Sequence, residues 1–446
     1  MKTIAACLSL LIAFGMTMLA QAQDVAKTRE EKVRGDREKL KDDDSWIYND
    51  LKQGTAFAKA EGKPLLVIFR CLPCEACALF DEQVVRRDDQ VRELMDKFIC
   101  VRIPMANAMD LTRFQYDYDL SFSAFFMHPG GTIYGRFGTR SSVEHAESDI
   151  SIEGFAAALE GALKLHSDYP KSEKFLTNKQ PRPVAFESPE EYPSLKGKYK
   201  DQLDYTGKVV QSCLHCHQIR DAEREYYREN GEAPPTSSLR PYPMPQVLGF
   251  TLDEKTRGVI KAVQTDSAAA KAGLRVGDEL LVLDGQAILS IADVQWVLHN
   301  AGERGFLIAV VRRDGQIHEL PIELADGWRS KSDISWRVTS WTLRRMVTGG
   351  MKLEDLSDED RGEKGVAADA LALVAKSVGK YGPHAAARRA GFLEGDILLK
   401  VAGASQRMDE SDLMTHLMQT TRPGQNLAVT VLRKGRQVEL KLPMQK

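Results

Sequence analysis

The sequence predicts a multi-domain chain of α/β plus α+β/β class: an α/β module near the N-terminus, a short helical segment, then two related modules. Three observations carry this expectation. Strand, helix, strand and hairpin patterns follow one another between about residues 45 and 168 around a cluster of cysteines. A Cys-x-x-Cys-His run stands alone in a proline-rich stretch. The segment Ala270-Lys271-Ala272-Gly273-Leu274-Arg275-Val276-Gly277-Asp278 recurs as Ala387-Arg388-Arg389-Ala390-Gly391-Phe392-Leu393-Glu394-Gly395-Asp396, so two domains are copies of one plan. The chain's 446 residues leave room for three or four domains at about 100–200 residues each. A formal net charge of −2 offers no electrostatic footprint for nucleic acid or an anionic membrane.

The first residues read as an export signal. Lys2 precedes an apolar run from Ile4 to Leu19, and Ala20-Gln21-Ala22 supplies small residues for cleavage, so a signal peptide is expected over 1–22. The run is shorter than the roughly 20 residues that span a bilayer, and no later segment is apolar enough to cross one. The mature protein is expected in the periplasm or cell envelope. A charged leader, 23–44, is expected to be a solvated helix or disordered, and no function is assigned to it.

Between 45 and 168 a helical stretch leads to Leu65-Leu66-Val67-Ile68-Phe69, a continuous apolar run that reads as a buried strand. The cysteines follow, then a helix over 76–97, a strand over 98–103, a hairpin about His128-Pro129-Gly130-Gly131, and a helix to about His166. That order describes a thioredoxin-like domain. Cys71, Cys74 and Cys77 contain two overlapping Cys-x-x-Cys registers. Counted from Lys63-Pro64, the redox pair falls on Cys74 and Cys77, with Cys74 at a helix start where backbone N–H groups stabilise a thiolate. A structural disulfide beside a spectator Cys71, or a metal site of all three thiolates, uses the same residues. Cys100 lies in a strand and reads as a core thiol.

In 169–245, Cys213-Leu214-His215-Cys216-His217 has the spacing for c-type haem attachment. Two thiols add to the haem vinyl groups, and His217 becomes the axial ligand. A helix over 198–210 is expected before the motif and none after it. Met244 is the candidate sixth ligand or a proline-loop core residue, and His215, held between the cysteines, is not placed to reach an iron. A second dithiol and a zinc site are the other uses of these residues.

The repeated segment resembles the strand-entry signature of bacterial PDZ domains, expected over 246–325 and 349–446. A Trp-containing connector, 326–348, with Trp328, Trp336 and Trp341 as a brace, joins them. In that fold an apolar–Gly–apolar loop receives a peptide's C-terminal carboxylate and the peptide adds as an edge strand. The resemblance places that loop on Leu248, Gly249 and Phe250, and in the second copy on Gly349 to Leu353. Taken whole, the chain is similar to the thioredoxin-like/PDZ (seleno)protein family of exported bacterial proteins, in which selenocysteine can stand in the cysteine cluster. The resemblance implies nucleophile and resolving roles for Cys74 and Cys77. Phe122 stands where thioredoxins place a cis-proline and Ile68 where they place a buried aspartate.

The sequence contains no Gly-x-Ser-x-Gly, so a serine protease is not expected. The expected function is an exported thiol-redox protein with a haem-c segment and PDZ domains that bind protein C-termini or extended peptides. A non-catalytic envelope scaffold, a redox or haem sensor, and a metal- or haem-handling factor remain open beside it.

Overall fold

The computed structural model describes residues 28–74, 77–86, 88–145 and 148–446, so the expected signal peptide and Cys7 lie outside the described residues. Among the described residues no helix is long and apolar enough to cross a membrane.

The leader is helical from Arg29, one of the two states expected of it, but it is not wholly solvated. Thr28 and Glu31 form a reciprocal cap that starts helix α1 (Arg29–Leu40), whose Val33 and Leu40 are buried. Strand β1 (Ile47–Tyr48) and helix α2 (Leu51–Glu61) follow, and Gly62 ends α2 at φ 66°. Strand β2 (Leu65–Arg70) is buried at every position, as its unbroken apolar run requires. The helix expected over 76–97 is two: α3 (Ala78–Val85) and α4 (Asp89–Met95). Asp88 accepts from the Gln90 N–H, and a side chain that caps a new helix stops the first one continuing. Strands β3 (Ile99–Ile103), β4 (Phe122–Met127) and β5 (Ile133–Phe137) and helix α5 (Ile152–Ser167) complete the module. The sheet order is β1-β3-β2-β4-β5, with β1, β3 and β2 parallel and the β4–β5 hairpin antiparallel.

Both sheet faces are covered. Leu66 and Ile68 point to a core with Phe80, Phe126 and Phe155. Leu65, Val67 and Phe69 point to a second core, into which Tyr192, Leu195, Leu214, Cys216 and Ile219 insert. Segment 169–245 therefore lies against the first sheet as a covering layer. Its helices also differ from expectation. Before the motif only a single turn forms, α6 (Val209–Ser212), while a full helix, α7 (His217–Glu229), follows it.

The first repeat contains strands β6 (Phe250–Leu252) and β7 (Ile260–Val263), and a sheet β11-β10-β8-β9 made of β8 (Glu279–Leu283), β9 (Gln286–Ala287), β10 (Gly305–Arg313) and β11 (Gln316–Leu324). Its helix α8 (Ile291–Asn300) is wedged between two modules. Val294, Val297 and Leu298 fill the repeat's own core. On the other side Asp293 accepts from the Arg136 N–H at 3.1 Å and pairs with buried Lys179 at 2.8 Å. Leu289 enters the thioredoxin-side core. It approaches so closely that a Cβ on Gly135 or Gly161 would lie 2.6 Å from its side chain.

The connector carries helix α9 (Ser340–Val347), and the second repeat is one sheet of five strands: β12 (Met351–Asp355), β13 (Leu373–Val378), β14 (Ile397–Val401), β15 (Asn426–Arg433) and β16 (Arg436–Pro443). Helix α10 (Glu410–Thr420) packs on it. Trp328 joins the first repeat's core, but Trp341 is half exposed, so the brace is mainly ionic. Arg337 reaches from the connector to Asp117 at 2.6 Å and Asp119 at 3.2 Å in the thioredoxin-side module, all three buried.

Candidate functional site

Strand β2 delivers its last residue, Arg70, into the protein, where its guanidinium organises the cysteine loop. Its terminal nitrogens donate to the carbonyls of Cys71 (2.7 Å), Ser121 (2.9 Å) and Cys74 (3.1 Å), and its Nε lies 3.1 Å from Asp81. Cys71 N–H donates to Ser121 O, and Cys74 N–H closes a turn on Cys71 O. The loop is thus held by the Arg70 side chain together with these backbone bonds, and α3 begins only at Ala78.

This turn pairs the thiols differently from the sequence reading. Cys71 Sγ lies 2.6 Å from Cys74 Sγ. Cys77 sits at the start of α3 with φ 60°, its side chain in the core with Phe80 and Val84. The sulfurs that meet in this turn are those of Cys71 and Cys74, where the sequence reading had paired Cys74 with Cys77. Cys100 is a buried core thiol in β3, as expected.

His215 joins the pair, its Nδ1 3.3 Å from Cys71 Sγ. The hydrogen bond from Cys71, opposed by burial and aided by His215 and the Arg70 charge, brings the Cys74 pKa down to about 4. The same hydrogen bond, with burial, holds Cys71 well above the ordinary thiol value. One thiolate and one thiol therefore share a proton. Cys74 borders a cavity of about 560 Å³ walled by Gly35, Asp36 and Lys39 of α1 and by Asp81 and Glu82 of α3. The leader helix is a wall of the site, fixed by Arg34 on the carbonyls of Tyr205 and Gly207.

The Cys-x-x-Cys-His residues lie beside this pair. Cys213 and Cys216 are 4% and 7% exposed, and Tyr116 Oη donates to Cys216 Sγ at 3.0 Å. Burial pushes Cys213 up to about 12 and Cys216 up to about 11. His217 stacks on His215 at 5.6 Å and faces Asp221 at 3.7 Å, which against burial keeps its pKa above the ordinary value. Met244 Sδ instead accepts from Thr139 Oγ1, at the interface with α8. A macrocycle bonded to both sulfurs must lie directly against them. Here Leu214 and Cys216 are packed into the sheet's second core, so these residues as folded do not fit a haem.

The repeat signature acts structurally. Asp278 pairs with Arg313 at 2.7 Å and accepts from Arg275 N–H; Asp396 pairs with Arg433 at 2.7 Å and accepts from Leu393 N–H. Leu248 ends a short turn, Gly249 has φ 87°, and Phe250 opens β6. The corresponding strand of the second repeat is engaged from within. Leu353 N–H donates to Glu410 Oε1 at 2.7 Å, and Glu410 is paired with Arg344 of α9. The first residue of the equivalent helix α8 is Ile291, whose side chain cannot accept a hydrogen bond.

Arg70, Ser121, Tyr116 and His215 escaped the sequence reading. His215 alone had a signal there, as a second histidine inside the motif.

Residues 46–129 match the thioredoxin-like family and residues 259–312 the PDZ domain family. A probable periplasmic serine protease of do/HhoA-like type from Haemophilus influenzae is 26% identical over 185 residues, 41% of this chain and 34% of that protein. A probable periplasmic serine endoprotease of DegP-like type from Pseudomonas fluorescens is 25% identical over 189 residues, 42% of this chain and 37% of that protein. The chain thus spans about a third of the length of these curated relatives. Among solved structures, the HtrA-type protease AlgW with decapeptide aligns at 18% identity and TM-score 0.21, over 31% of this chain and 49% of that one. The PDZ domain of EpsC from Vibrio cholerae aligns at 20% identity and TM-score 0.14, over 23% of this chain and 92% of that one. The chain carries a thioredoxin-like domain and a PDZ domain.

Proposed function

We propose that this is an exported thiol–disulfide exchange protein whose first PDZ domain holds a protein partner. The observation that carries the reading is the placement of Cys71 and Cys74 in one turn, sulfurs 2.6 Å apart, with Cys74 facing the cavity. Cys74 thiolate attacks a partner disulfide and expels one partner sulfur as thiolate. Cys71 passes its proton to the expelled partner thiolate and attacks the Cys74 sulfur, breaking the mixed disulfide and releasing the second partner sulfur as thiolate. The partner is reduced by two electrons, and Cys71 and Cys74 are oxidised to a disulfide. The peptide edge of the first repeat, at Leu248, Gly249 and Phe250, takes a partner C-terminus. The second repeat, 349–446, is a PDZ-type module whose edge is engaged by Glu410 and which serves as a structural brace.

Trapping tests the exchange reading. Cys71→Ser protein mixed with oxidised glutathione should accumulate a mixed disulfide on Cys74, Cys77→Ser should cycle normally, and Cys74→Ser should not react. A trapped adduct that resolves through Cys77 would overturn the pairing.

A further inference from the structure

We infer that Cys71, Cys74 and His215 form a binding site for a soft monovalent metal ion, Cu(I), held by two thiolates and one imidazole nitrogen. The inference rests on the same reduced dithiol as the exchange reading but asks different chemistry of it. Among the described residues this is the one group of three metal-donor side chains whose ligand atoms all lie within 4.8 Å of one another. They come from segments 144 residues apart, so the fold, not the local turn, assembles them.

The donor set selects the ion. Two sulfurs and one nitrogen are soft to borderline ligands, which favour Cu(I) or zinc over magnesium or calcium. Asp81, a carboxylate of the same cavity, is engaged by Arg70 and Arg102. Structural zinc asks for four protein ligands in a tetrahedron, and three are present among the described residues. Cu(I) is satisfied by two or three, and that count matches the site.

Charge and position agree. Two thiolates around Cu(I) carry one net negative charge, which the buried guanidinium of Arg70, bonded to the Cys71 and Cys74 carbonyls, offsets. His215 is held by its backbone N–H on Gln218 Oε1 at 2.9 Å and by the stacked ring of His217. Cys74 supplies the way in, because it borders the open cavity while Cys71 is buried. The sulfurs must part by about 1 Å, since two thiolates bonded to one ion at about 2.3 Å stand well beyond 3 Å from each other. Residues 71–74 lie outside regular strand and helix, so a side-chain rotation supplies that movement.

The test uses the full chain, reduced and without oxygen, titrated with Cu(I) from a coloured Cu(I) chelator. One ion per chain should transfer, with a thiolate-to-copper absorption band in the ultraviolet. Cys71→Ala, Cys74→Ala and His215→Gln should each weaken binding by at least about tenfold, the loss that even outer-sphere partners produce. Cys213→Ser with Cys216→Ser should bind as the parent does, and so should Cys77→Ser. Transfer lost only in the 213/216 variant, or displacement of the copper by equimolar Zn(II), would overturn the site. If Cu(I) stays on the chelator while the reduced chain still exchanges with glutathione disulfide, the metal site falls and the exchange reading stands. If neither occurs, both fall.

Discussion

A single buried arginine decides what the cysteine cluster can do. Arg70 ties three carbonyls and one carboxylate, so it fixes the turn on which Cys71 and Cys74 meet. Arg70→Met should leave those acceptors unsatisfied and cost about 3 kcal/mol or more, read from denaturant unfolding, because breaking a buried pair strands the partner. The same variant should slow mixed-disulfide resolution by Cys71. Gly249 is the other position where one residue governs a site. A Cβ there would sit 2.0 Å from Ser267 Cβ, at a φ of 87° that L-residues avoid. Gly249→Val should destabilise the first repeat by about 2–4 kcal/mol through strain and overpacking, seen as a lowered melting temperature.

At the scale of elements, two copies of one plan have diverged at the strand that would accept a peptide. In the second copy, β12 gives the Leu353 N–H to Glu410, and α9 supplies Arg344 to hold that carboxylate. A strand added here would have to displace a buried ion pair. Hydrogen exchange should find the Leu353 amide strongly protected in the parent. In Glu410→Ala that protection should fall, with a stability loss of about 3–5 kcal/mol from the orphaned Arg344. Rapid exchange at Leu353 in the parent would mean that this edge is open.

Across the whole molecule, the modules are locked by buried charges around His299. Its ring stacks on Tyr242 at 4.1 Å and accepts from the Tyr242 N–H. Burial, then the charges of Arg220, Arg329, Arg337 and Arg136, keep its pKa well below the ordinary value. Those arginines come from α7, the connector and β5, so protonation at this point would strain several contacts together. Unfolded, the same ring takes a proton near pH ~6.5. Below that pH the unfolded chain binds the extra proton, so stability is full above it and falls as the pH drops, by up to about 1.4 kcal/mol per pH unit from this residue. His299→Phe should flatten the acid limb of a stability-versus-pH curve between about pH 6.5 and 5. An unchanged limb would assign that acid sensitivity elsewhere.

What the sequence determined by itself was local. The apolar run of β2, the helix that ends near His166 and the paired Gly-Asp segments act through neighbours a few residues away, and their elements stand where the pattern put them. The repeat was legible for the same reason, since Asp278 and Asp396 cap turns only three residues long. The partner of Cys74 was not, because the count from Lys63-Pro64 pointed to Cys77, while Arg70 and the Ser121 carbonyl set the turn that brings Cys71 to Cys74. The break between α3 and α4 was missed because an apolar helical pattern runs across it. His215 and the wall built by α1 depend on contacts across more than a hundred residues. Such contacts arise only when the cores on both faces of the sheet close, and packing then chooses which buried polar groups meet.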